Sequence, residues 1–220
     1  MSLLSFQKAL TDLIASPQLC LQLRNNPAAV LSRYDLTSRE QRRLQTVVYQ
    51  QGMSVSCTLY RVNRITPIYT MLPYTCFLLG EQLMPVIEEF WAIDNRSDLQ
   101  FKREINIFGE FLLQKLLSGE IVNPYLREIV VMELAMNELK FLPRELLMET
   151  GDDETSIHPL VRLVPFDHPP EPLLTALAGM KLPEREKDTG EYWLMLDHRE
   201  EELSFRALPH KNGAAAVAGL

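Results

Sequence analysis

The sequence predicts a mainly α protein with a small C-terminal α+β part. Three observations carry that prediction. Apolar residues recur at helical spacing almost continuously up to about residue 141. Helix-start signals precede several of those segments, with Pro17 and Pro27 each following a capping residue and Thr37-Ser-Arg-Glu40 forming a capping pattern. After Met148 the periodicity shifts to alternation in two-residue steps, the signature of strands. The expected organisation is a helical domain over 1–150, followed by a small domain with a strand and a β-hairpin over 151–220.

Taken in order, Phe6, Ala9, Leu10, Leu13 and Ile14 form one apolar stripe of a first helix that ends at Ser16-Pro17. Ser16 and Asn26 then cap two short helices opened by Pro17 and Pro27, where the missing proline N–H costs nothing. From Thr37 another helix is expected to run to about Gln51 and to stop at Gly52. Leu44, Val47 and Val48 face inward on it, while Arg39, Arg42 and Arg43 make a basic stripe on the other side. That stripe is either a solvated face or a docking surface for an acidic partner.

The segment from Ser54 to Gly80 is apolar and aromatic, with Pro67 and Pro73 expected to kink or break helices and Gly80 to end the unit. Pro85 opens the helix carrying Val86, Ile87, Phe90 and Trp91, and the polar run Asp94–Asp98 makes a loop. Ile105, Phe108, Phe111, Leu112 and Leu116 mark the next helix, terminated by Gly119. Asn123-Pro124 caps the last long one, from Tyr125 to about Phe141, with Leu126, Ile129, Val130 and Leu134 as its stripe. Beyond the acidic loop Gly151–Ser156, Leu160–Val164 alternates as a strand. Pro172–Ala178 reads as a short helix and Lys181–Gly190 as a charged linker. Tyr192, Leu194 and Leu196 face one way and Trp193, Met195 and Asp197 the other. A polar turn leads on to Leu203, Phe205 and Ala207, which completes a hairpin. Ala214–Leu220 forms a small apolar tail.

Composition narrows the class. With 46% apolar and 23% charged residues over 220 positions, the chain resembles ordinary globular proteins, and no apolar run approaches the roughly 20 residues of a membrane span. The N-terminus lacks secretory-signal features and three cysteines cannot all pair within one chain, so a cytoplasmic location is expected. The net charge of −7 is unevenly spread. Residues 1–70 carry eight Lys/Arg against three Asp/Glu, a balance of +5, which leaves −12 for the rest. An acidic chain gains little from counterion release, so general nucleic-acid binding is disfavoured, although a local basic face remains.

No residue pattern calls for catalysis, a cofactor or a metal. His158, His168, His198 and His210 stand apart from one another and outside metal-ligand spacings. Cys20, Cys57 and Cys76 lack CxxC spacing and fall among apolar residues, as core cysteines do. Glu133 and Glu138 could be read as a carboxylate pair, but no histidine accompanies them. Arg61 and Asn63 interrupt an apolar helix, and a buried Arg61 would need a carboxylate such as Glu133. His158 before Pro159 is expected to fix the turn into the strand. A recognition role is the expected function class, and the chain is expected not to be an enzyme.

Several fragments, in order, carry a family resemblance: Leu59-Tyr-Arg-Val-Asn63, Leu72-Pro73, Leu79-Gly-Glu81, Phe108 with Phe111-Leu112, and Pro124-Tyr-Leu126. Val130-Val-Met-Glu-Leu-Ala135, His158-Pro159 and Tyr192–Leu208 continue it, so that it covers about residues 55–210. The chain thereby resembles the helical proteins, often labelled DNA-binding, that partner multinuclear non-haem iron oxidases acting on ribosomally made peptides. The partner subunit of methanobactin biosynthesis is related in role. A second similarity, carried by Asn26-Pro27, Leu31, Tyr34-Asp-Leu-Thr37 and Glu40, is to the small helical subunit of extradiol ring-cleavage dioxygenases. The first resemblance implies a non-catalytic adaptor that binds a precursor-peptide leader and forms a heterodimer with an iron-dependent oxidase. An extended peptide would add to the hairpin edge, with Tyr192, Trp193, Leu194, Met195 and Phe205 as peptide-binding candidates and Arg39, Arg42 and Arg43 as docking candidates. Trp193 and Met195 lie on the pleat expected to be exposed, while the others equally suit packing onto the helices. A DNA-binding regulator is the alternative reading.

Overall fold

The computed structural model describes residues 3–93, 101–142, 158–183, 189–200 and 202–208. The segments Asp94–Asp98 and Gly151–Ser156, His210, the tail Ala214–Leu220 and most of the linker before Gly190 lie outside the described residues. So does the expected domain boundary at residue 150. The chain groups into two compact units, Met1–Ile68 with Val86–Leu99, and Tyr69–Pro85 with Gln100–Leu220. The sequence instead divides the chain near residue 150. In the structure the strands share a unit with the later helices, because the last long helix packs directly against the first strand.

In the first unit, α1 (Leu3–Ala15), α2 (Pro17–Asn25), α3 (Pro27–Leu31) and α4 (Ser38–Val47) follow the sequence signals closely. Ser16 Oγ accepts from Leu19 N–H, Asn26 Oδ1 accepts from Ala29 N–H, and Thr37 and Glu40 satisfy each other's backbone donors in a full capping box. Ala9, Leu13, Leu23, Val30 and Leu44 are buried together with Cys20 and Cys57. Both thiols point at the Leu13 carbonyl, at 3.0 and 3.6 Å. Burial and the neighbouring Cys57 push the Cys20 thiol up to about 12, so it stays protonated and behaves as core.

One expected helix end is corrected. Gly52 does not stop α4: it is the second residue of α5 (Gln51–Met71), and α4 ends four residues before that helix begins. The Arg24 guanidinium takes the buried Val48 carbonyl with both Nε and Nη2, which removes the acceptor that a continuing helix would use. Pro67 is carried within α5, whereas Pro73 does mark a break and opens α6 (Pro73–Leu79). Gly80, at φ 50°, ends α6 in a backbone conformation that other residues resist, and a 3-10 turn leads into α7 (Leu83–Ile93).

Arg61 is half-buried, so it does not meet the condition under which it would need a carboxylate such as Glu133. Arg61 bonds Glu88 at 2.5 Å and stacks over Trp91, while Arg64 is the arginine that is buried, among the rings of Tyr60, Phe90 and Trp91. Asn63 is exposed.

In the second unit, α8 (Phe101–Leu117) ends before Gly119 at φ 76°, and α9 (Leu126–Lys140) starts after Asn123 accepts the Tyr125 N–H. Gly109 of α8 lies against the Leu134 side chain, close enough that a β-carbon there would sit 2.6 Å from Cδ1. The strands β1 (Val161–Phe166), β2 (Tyr192–Asp197) and β3 (Ser204–Leu208) form an antiparallel sheet in the order β1-β2-β3, and α10 (Pro170–Ala178) lies between the first two in sequence. His158 fixes the entry to β1, its Nδ1 accepting from Leu160 N–H and its carbonyl from Val161 N–H. Among the described residues no helix is long and apolar enough to cross a membrane.

Candidate peptide-binding groove

The buried polar residues of α9 set the geometry of the site. Glu133 is 3% exposed, and its two carboxylate oxygens accept the Tyr74 and Thr75 backbone N–H groups at 2.8 and 2.9 Å. These are donors in the first turn of α6, left without intrahelical partners, so Glu133 is the N-terminal cap that the local sequence of α6 lacks. Burial pushes the Glu133 carboxyl up to about 7 against the pull of those donors. One turn along, Asn137 Nδ2 donates to the Met71 carbonyl at 2.8 Å, closing the end of α5. On the exposed side, Glu138 pairs with Arg162 of β1 at 2.8 Å. Glu133 and Glu138 therefore serve different neighbours and do not converge.

Glu128 performs a similar service one turn earlier. It accepts the Asp167 and His168 backbone N–H groups at 2.7 and 3.3 Å and lies 3.0 Å from His168 Nδ1, with the Tyr125 ring edge-on to the imidazole. Burial raises the Glu128 carboxyl against the opposing pull of these donors. This pair staples the turn between β1 and α10 to α9, and His168 borders a cleft of about 650 Å³ that also reaches Asn123 and Arg127.

With α6 and α10 anchored in this way, α9, α10 and the sheet enclose a groove of about 540 Å³. Leu194 and Ala207, directly paired across β2 and β3, lie along it with Met132 and Met136 of α9 and Leu174 of α10. Tyr74 and Glu171 add polar groups, and Phe205 stands beside it with 49% of its surface exposed. Met132 is 1% exposed and belongs to the core, so half-buried Met136 is the methionine whose flexibility suits this surface to varied apolar side chains. Among the described residues β3 pairs with β2 alone, so its other edge offers backbone N–H and C=O groups next to the groove.

The structure brings only part of the expected peptide-binding set together. Phe205, half-exposed, borders the groove, while Leu194 lines it from below at 2% exposure as a core residue. Tyr192 is half-buried, its ring packed against Gly190. Trp193 lies on the opposite pleat, half-buried, between Pro165 and Leu208. Met195, expected on an exposed face, is corrected: it is 6% exposed, because β2 is the central strand and Met195 sits between Leu163 and Arg206. Arg39, Arg42 and Arg43 all stand exposed on α4, with Arg42 turned back to the Ser38 carbonyl.

Sequence reasoning missed the groove walls. Met132 and Met136 are spaced i, i+4 on α9, a signal that was present but that core packing explains equally well. Among the described residues no three His, Cys, Asp or Glu side chains converge as a metal ion would need. No protein-family model matches the chain, and neither a curated protein nor a solved structure matches it.

Proposed function

We propose that this chain is a non-catalytic adaptor that holds an extended peptide along β3, with apolar side chains of the peptide in the adjoining groove. The observation that carries the reading is the coincidence, among the described residues, of an unpaired strand edge and an apolar groove in the same unit. Main-chain pairing supplies affinity with little sequence demand, and alternate side chains supply selection. The family resemblance assigns the peptide and partner: a ribosomal precursor leader, delivered to a multinuclear iron-dependent oxidase in the cytoplasm. The exposed arginines 39, 42 and 43 of α4 are the docking candidates on the adaptor side.

The test is co-expression with a multinuclear iron-dependent oxidase of the class the resemblance implies, then size-exclusion chromatography with metal analysis, and titration with a fluorescein-labelled leader of that oxidase's precursor peptide. A complex with iron confined to the partner, and peptide affinity that Phe205→Ala lowers at least about tenfold, is the expected result. Phe205 is half-exposed, so its loss leaves folding largely intact. Peptide affinity unchanged by both Phe205→Ala and Ala207→Lys would refute the groove. The exposed arginine stripe favours a second reading as a DNA-binding regulator. That reading requires duplex affinity that falls steeply with salt and is abolished by Arg39, Arg42 and Arg43 substitution.

A further inference from the structure

Two charges of opposite sign stand on opposite faces of the open strand β3, and neither has a partner among the described residues. Glu171, exposed in the first turn of α10, is the charged side chain of the groove. No basic side chain lines the groove with it, and Tyr74 and Thr175 add neutral polar groups. On the other pleat of β3, Arg206 is exposed and lies across from Met195. Asp197 shares that pleat on β2, but Arg199 takes both of its carboxylate oxygens, at 3.0 and 2.6 Å. The unit that holds the groove is also strongly acidic. It carries 13 Lys/Arg against 22 Asp/Glu, a balance of −9, whereas the other unit carries nine against seven, a balance of +2. A field of that sign draws in a cationic ligand.

We infer that the peptide taken along β3 is a cationic amphipathic strand, chosen by Glu171 on its groove face and by Arg206 on its other face. This rests on the reading of β3 as a peptide-pairing edge and adds the charge pattern by which one peptide is preferred to another. The period of a strand fixes where each charge belongs. A peptide residue opposite Arg206 shares its face, and an Asp or Glu there makes a favourable cross-strand pair. The residues on either side of it turn into the groove over Phe205 and Ala207, where apolar side chains fit. Further along that face, Lys or Arg reaches Glu171, its aliphatic stem lying on the apolar wall.

Fluorescence anisotropy of the full chain with three fluorescein-labelled synthetic peptides tests it. Lys-Thr-Leu-Glu-Leu-Thr-Lys satisfies the pattern and reads alike in both directions, so the direction of pairing does not matter. Glu-Thr-Leu-Lys-Leu-Thr-Glu reverses every charge, and Gln-Thr-Leu-Gln-Leu-Thr-Gln removes them. The matched peptide is expected to bind at least about tenfold more tightly than the reversed one, with the neutral one between and the gap narrowing in high salt. Glu171→Lys and Arg206→Glu, both at exposed positions, should each narrow the gap at least about threefold at an unchanged melting temperature. Equal affinity for the three peptides, still weakened by Phe205→Ala, overturns charge selection and leaves the groove standing. A gap that both charge variants leave intact traces to overall charge and overturns the assignment to these residues. Tighter binding of all three peptides to Glu171→Gln would show that the carboxylate guards the edge, which overturns it too. Binding of none of them overturns the inference together with the groove reading.

Discussion

Replacing Glu133 with Gln should remove a pH dependence of stability that the wild-type chain carries. In the folded chain burial raises this carboxyl from 4.5 to about 7. Between those values the folded state binds the proton more tightly than the unfolded state. The contribution of the group is therefore fully present below pH 4.5, and it is lost as pH rises through 7. A raise of this size corresponds to about 3 kcal/mol at 1.36 kcal/mol per unit. Urea unfolding at pH 5 and pH 8 measures it. Part of the contribution is already lost at pH 5, so the wild type should lose about 2–3 kcal/mol more than Glu133→Gln does over that interval. At pH 8 the two should be similar in stability, because the amide removes a buried charge but turns an NH2 toward one of the α6 donors that Glu133 accepts. Equal pH slopes in the two proteins would refute the argument, since the buried carboxyl would then titrate as it does in the unfolded chain.

Two further predictions concern stability. Thr37→Ala removes the hydroxyl that accepts the Glu40 N–H, leaving the backbone N–H at 37 on the Glu40 carboxylate, and should cost about 1 kcal/mol, read as a fall in urea midpoint with unchanged m-value. Glu128→Ala strands the Asp167 and His168 N–H groups and should cost about 3 kcal/mol or more. The same change should loosen the turn into α10, seen as faster amide exchange at Asp167 and His168, whereas an undisturbed turn would show that Glu128 is not its anchor.

The elements readable from sequence were those specified locally. Ser16, Asn26 and Thr37 announce helix starts because a short polar side chain at that place has one effective use, the orphan N–H groups of the next turn. The hairpin was equally legible, since alternation over six residues leaves a single pleat assignment. What escaped was set by distant partners. The end of α4 depends on Arg24, and the burial of Met195 depends on the two strands that flank it. Glu133 looked available to Arg61 because both interrupt apolar helices, but nothing local reveals that α6 starts without a side-chain cap of its own.

The buried polar residues of α9 also bear on how well the groove could work. Glu128, Glu133 and Asn137 each satisfy backbone groups of a different neighbour: the turn before α10, the start of α6 and the end of α5. None of the three appears among the groove-lining side chains, yet they hold the elements that supply Tyr74, Leu174 and Glu171 to it. An extended ligand that pairs with a strand edge loses chain entropy on binding, and the host adds to that cost if its own walls must also become ordered. A wall fixed by buried hydrogen bonds removes the second term. Half-buried Met136 then provides adaptability at the level of the side chain, so that selection can be broad in sequence while the backbone stays in place. On this argument Glu128→Ala should weaken peptide binding without touching the peptide, and the loss should appear mainly as a slower association rate, because the loosened groove must first adopt its binding form.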